Sequence, residues 1–116
     1  MKTLFILNDP PYGTERTYNG LRLASALAKR AGEQVRVFLM GDAAAAARRG
    51  QRTPNGYYNL GRMLSVVLTV GAQVGICGSC MDARGLDASS IVEGTRRSNL
   101  EELTDWALWA DRVLVF

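Results

Sequence analysis

Apolar and polar positions along the chain alternate between two periods. Thr3 to Leu7, Gln34 to Met40, Gln73 to Ile76 and Arg112 to Phe116 are short apolar runs, rich in branched and aromatic residues, and read as buried strands. Between the first two, Thr14 to Ala31 places Gly20, Leu23, Ala24, Leu27, Ala28 and Ala31 on one face and Arg22, Ser25 and Lys29 on the other, with Gly32 suited to a helix end. Gly41-Asp42 is expected to cap a short alanine-rich helix that ends near Arg48-Arg49-Gly50. The polar stretch Gln51 to Gly56 contains Pro54 and reads as a mobile connection or lid. From Tyr57, helical spacing returns through Leu60, Met63, Leu64, Val67, Leu68 and Gly71. Ser90-Ile91-Val92 reads as a weak fourth strand, and Ser98 to Glu101 as a capping box opening a last helix that runs to about Trp109.

Strand and helix alternating with short loops predict an α/β fold, doubly wound, with a five-stranded, mainly parallel sheet and helices on both faces. A length of 116 residues with 47% hydrophobic content supports one core, so residues 1–116 are read as one domain. No apolar run reaches the roughly 18 residues of a membrane span, and the first strand is too short for a signal peptide, so a soluble, cytoplasmic protein is expected. The net charge of +3 comes from interspersed Lys, Arg, Asp and Glu, which does not indicate nucleic-acid binding. Arg48, Arg49, Arg96 and Arg97 read as solvated, and Trp106 and Trp109 as core or subunit contacts.

The chemistry is narrowed by what the chain contains and lacks. Two cysteines stand close together in Cys77-Gly78-Ser79-Cys80, and there is no histidine. Histidine-dependent thiol catalysis and histidine-bound metals are thereby excluded, and two thiols cannot complete a four-ligand zinc site within one chain, which leaves open only a site shared across a symmetry axis. Phosphate-binding glycine patterns are also missing, so no cofactor is expected. In parallel α/β sheets ligands gather beyond the carboxyl ends of the strands, which selects the loops around Asn8, Asp9 and Tyr12, Met40 to Asp42, Cys77 to Cys80, and Gly94 to Arg97. A helical turn starting after Cys77 would present free N–H groups to a thiolate or persulfide. Arg84 would add positive charge, Gly78 would leave room for a second sulfur, and Ser79 could donate a hydrogen bond to it. The plainer alternative is that Cys77 merely continues the buried run Val74-Gly75-Ile76 as a small apolar residue. Asp9 reads as a turn residue or a carboxylate that tunes the thiol, and Asp42 as a helix cap.

The segment Cys77-Gly78-Ser79-Cys80-Met81-Asp82-Ala83-Arg84-Gly85-Leu86 resembles the DsrE/DsrF-like family, its YchN-like branch in particular. Ile6 to Gly13, Phe38 to Ala43, Glu101 to Trp106 and Ala110 to Phe116 resemble it in the same order. That resemblance implies a flavodoxin-like subunit in a homotrimer or homohexamer, with Cys77 carrying sulfur as a persulfide between donor and acceptor proteins. Cys80 is absent from some members. A second thiol would permit a thiol–disulfide redox protein using both cysteines, although no proline follows the Cys-x-x-Cys as a thioredoxin-like partner. A non-catalytic oligomeric binding module is the third reading.

Overall fold

The computed structural model describes residues 1–55 and 57–116. Five strands, β1 (Lys2–Leu7), β2 (Gln34–Leu39), β3 (Gln73–Cys77), β4 (Arg96–Ser98) and β5 (Arg112–Val115), form an all-parallel sheet in the order β4-β3-β2-β1-β5. Between them lie α1 (Arg16–Ala28), a 3-10 helix (Gly41–Ala47), α2 (Leu60–Thr69), α3 (Gly78–Ala83) and α4 (Leu100–Trp109). The predicted doubly wound α/β fold is therefore the observed one.

Alternation along the strands divides the core in two. Phe5, Leu7, Val37, Leu39, Val74 and Ile76 point to one face, where Leu21 and Ala24 of α1 and Leu60, Leu64 and Val67 of α2 cover them. Leu4 and Phe38 point to the other, where Leu103 and Trp106 of α4 pack on them. Gly75 belongs to this second face, and a Cβ there would come within 3.2 Å of the Trp106 ring. Toward β5 that face is open, leaving Val113 and Val115 exposed. Among the described residues no helix is long and apolar enough to cross a membrane.

Several boundaries differ from the sequence expectation, each for a local reason. The edge strand is Arg96–Ser98, not Ser90 to Val92; Ile91 instead makes an isolated antiparallel bridge to Arg48 and is buried. The last helix is capped by Asn99, whose Oδ1 accepts the Glu102 N–H at 2.8 Å, so the cap is one residue later than predicted, Ser98 stays in the strand, and the Glu102 carboxylate bonds Ser98 and Arg96 and not the cap N–H of a box. Asp42 makes no cap bond to the 3-10 helix. The stretch read as a lid is tied at its first residue, Gln51. Gln51 Nε2 donates to the carbonyls of Ala46 and Arg48 at 2.8 Å each, and Asn59 Nδ2 donates to the Gln51 carbonyl at 3.0 Å. Gly56, at the end of that stretch, lies outside the described residues.

Candidate functional site

Strand β3 delivers Cys77 to the carboxyl edge of the sheet, and the chain turns there directly into α3. One helical turn separates Cys77 from Cys80. Their Cα atoms are 5.2 Å apart and the sulfurs are joined as a disulfide, a separation inside the range of about 4.4–6.8 Å that such a bond requires. The two thiols expected from the sequence thus occupy a geometry in which they pair without backbone movement.

Each sulfur also receives one backbone N–H. Cys80 donates to Cys77 Sγ at 3.3 Å, which makes Cys77 the N-cap of α3. Gly41, the first residue of the 3-10 helix that follows β2, donates to Cys80 Sγ at 3.2 Å. Its φ of +53° lies in the left-handed region that favours glycine, and this conformation turns the chain from β2 into the 3-10 helix. Ser79 Oγ lies 3.4 Å from Cys77 Sγ. Both cysteines are half-buried, and Ser79 is exposed.

Beside the pair is a groove of about 680 Å³, with Phe38, Met40, Leu100 and Leu103 as its apolar walls and Cys77 and Cys80 at one side. Arg97 also lines it. Register explains its arrival, since Cys77 pairs with Ser98 across β3 and β4 and Arg97 stands one residue before. The Arg97 guanidinium lies over Gly78, where a Cβ would be 2.9 Å from it, and donates to both oxygens of Asp82 at 2.6 and 2.9 Å. These hydrogen bonds hold the Asp82 carboxyl below the usual carboxylate range and raise the Arg97 guanidinium in return.

The structure brings together Cys77, Gly78, Ser79 and Cys80 but leaves the other expected residues elsewhere. Arg84 reaches the Cys80 carbonyl at 3.0 Å, and its charge goes to Asp42 Oδ1 at 2.6 Å. Asp42 is therefore an ion-pair partner and not a helix cap. Asn8 Nδ2 donates to the Phe116 carbonyl at 3.2 Å beside β5. Asp9 accepts from Thr14 Oγ1 at 3.0 Å, and Tyr12 donates to Gln51 Oε1 at 2.6 Å. These three follow β1, which β2 separates from β3, and none lines the cysteine groove. Gly94 and Thr95 precede β4, so that loop is at the opposite end of its strand from the one expected. Arg96 is not simply solvated: it donates to Glu102 Oε2 at 2.8 Å and lies over the Trp106 ring.

Compared with known proteins, the chain matches the DsrE/DsrF-like family over residues 1–116. It is 39% identical to Protein YchN of Escherichia coli strain K12 over 116 residues, covering 99% of this chain and 98% of that protein. An uncharacterized protein of Methanopyrus kandleri is 35% identical over 112 residues, covering 96% and 90%. The crystal structure of the ychN protein from E. coli superposes with a TM-score of 0.93 at 38% identity, covering 100% of this chain and 99% of that one. A protein of unknown function from Methanobacterium thermoautotrophicum shares the fold alone, with a TM-score of 0.76 at 13% identity over 99% of this chain and 98% of the other.

Proposed function

The chain belongs to the DsrE/DsrF-like family, and from that premise we propose that it is a sulfur carrier, with Cys77 as the persulfide-bearing residue and Cys80 as its resolving partner. One observation carries the reading: two sulfurs one helical turn apart, each met by a backbone N–H, at the wall of an open groove. In the loading step the Cys77 thiolate attacks the outer sulfur of a donor persulfide. A new S–S bond forms on Cys77, and the donor leaves as a thiolate. In delivery an acceptor thiolate attacks that outer sulfur and Cys77 leaves in turn.

Cys80 adds a second exit. Its thiolate can attack Cys77 Sγ, forming the Cys77–Cys80 disulfide and expelling hydrosulfide. The two protein thiols are then oxidised, the carried sulfur is reduced, and a dithiol reductant must reset the pair. The apposition of the sulfurs equally favours the alternative of a thiol–disulfide redox protein that never holds a persulfide. The proposed setting is the cytoplasm, with sulfur donor and acceptor proteins as partners and a homotrimer or homohexamer as the working form. Exposed Val113, Val115, Leu100 and Leu108 support such burial between copies.

Reduced protein treated with a persulfide donor and weighed intact should gain the mass of one sulfur. Cys77→Ser should abolish the gain. Cys80→Ser should retain it for longer than the parent does. Loss of loading only in Cys80→Ser would reverse the two roles, and loading in neither the parent nor the variants would leave the redox alternative.

A further inference from the structure

Charge is segregated by helix in this chain. The charged side chains of α1 and α2 are all positive, whereas those of α4 are all negative. Between α1 and α2 runs a groove of about 400 Å³, lined by Leu21, Met63 and Val66 and edged by Arg22, Lys29 and Arg62. Among the described residues, none of these three cations enters a salt bridge. Among the described residues Arg22 is steadied only by Asn19 Oδ1 at 3.2 Å and by the Tyr18 ring, neither of which neutralises it.

On the opposite side of the sheet, the outward face of α4 has the complementary character. Leu100 and Leu108 are 72% and 83% exposed. Helical spacing sets them in one stripe with Thr104, and Glu101 and Asp105 run along its flank. Neither acid enters a salt bridge among the described residues. Leu21 to Lys29 and Leu100 to Leu108 each cover about 12 Å of helix, so stripe and groove match in length.

We propose that α4 of one chain seats in the α1–α2 groove of a second copy, its leucines on the apolar floor and its carboxylates against the cationic rim. The inference rests on the homo-oligomeric reading above and assigns that assembly its contact. Groove and helix lie on opposite faces of the sheet, so one pair of chains cannot use both at once. The contact is therefore head to tail, and its repetition gives the ring of the homo-oligomeric reading where the rotation closes. Leu100 also lines the cysteine groove, so the neighbour's helices would wall its mouth.

Light scattering on the purified chain, in rising NaCl and with charge-reversed variants, tests this. The parent should be an assembly that dissociates as salt screens the contact. The triple change Arg22→Glu, Lys29→Glu and Arg62→Glu, and separately Glu101→Lys with Asp105→Lys, should each reduce the mass to that of one chain. An equimolar mixture of the two variants should regain mass above one chain, because native α4 meets native groove and reversed meets reversed wherever the variants alternate; an odd-membered ring keeps one like-charged contact, so the mixture is expected in even-numbered assemblies. Circular dichroism checks that each variant is folded; should one fail to fold, the salt series on the parent decides alone. A monomeric parent would overturn the inference and leave the groove to an acidic helix of another protein. An assembly indifferent to salt, or folded variants with the parent's mass, would overturn it too. Persulfide loading measured on the same samples keeps the readings apart, since lost assembly with intact loading affects only the contact, and lost loading with intact assembly affects only the carrier.

Discussion

At the scale of single residues, the cysteine turn is built around the absence of one side chain. A methyl group on Gly78 would stand 2.8 Å from the Ser98 carbonyl oxygen and 2.9 Å from the Arg97 guanidinium. The guanidinium can swing away, but the carbonyl belongs to β4 and cannot yield without disturbing the pairing of Cys77 with Ser98. Gly78→Ala should therefore destabilise the reduced protein by about 1–3 kcal/mol, the usual cost of overpacking, read from urea unfolding. Adding Arg97→Ala should recover little of that loss; full recovery would mean that the arginine and not the strand sets the space. The motif itself was legible in the sequence, because two nearby cysteines without histidine leave few chemistries open. Arg97 was assigned to an edge loop but read as solvated; its place over Gly78 depends on β4 lying beside β3, and neither spacing nor composition encodes strand order. Asn8, Asp9 and Tyr12 miss the groove for the same reason, being at the correct edge but behind the wrong strand.

At the scale of elements, the junction of β4 and α4 combines pairing, capping and charge within a few residues. Asn99 caps the helix, and Ser98 Oγ donates to Glu102 Oε1 at 2.6 Å while Arg96 holds the other oxygen. Asn99→Ala should cost about 1 kcal/mol, as loss of a side-chain cap usually does, seen as a lower unfolding midpoint. The Ser98 hydroxyl, with help from Arg96, holds the Glu102 carboxyl below its ordinary range against the opposing effect of burial. A carboxyl whose folded-state value is depressed adds stability above its unfolded value and loses it as pH falls through the folded one. Stability should consequently decline on the acid side, and Ser98→Ala should flatten that decline; an unchanged acid limb would remove Glu102 as its source. The long periodic helices were foreseeable because each buries a stripe against a broad sheet. The edge strand was not, since its exposed Arg96 and Arg97 give no apolar signal, whereas buried Ile91 gives one without forming a strand.

At the scale of the whole molecule, the two sides of the sheet hold the chain with unequal strength, and Cys77 borders the weaker side while Cys80 packs on the stronger. The larger cluster runs from α1 and α2 through β1, β2 and β3, with Leu21 and Leu64 fully buried. The smaller one consists of Leu4, Phe38, Leu103 and Trp106, and Phe38 and Leu103 also line the cysteine groove. Regions with few buried apolar contacts open at lower free energy than the global transition. Thinning the two clusters should therefore have separable effects. Leu64→Ala, which leaves a cavity in the larger core, should cost about 2–5 kcal/mol of global stability and leave alkylation of Cys77 in the reduced, folded protein at the parental rate. Leu103→Ala should lower global stability less but loosen α4 over the groove, so that Cys77 is alkylated faster and α4 amides exchange sooner than those of β1 and β2. Equal acceleration by both substitutions would mean that reagents reach Cys77 only through global unfolding, and a thiol so guarded could not meet a donor protein while folded.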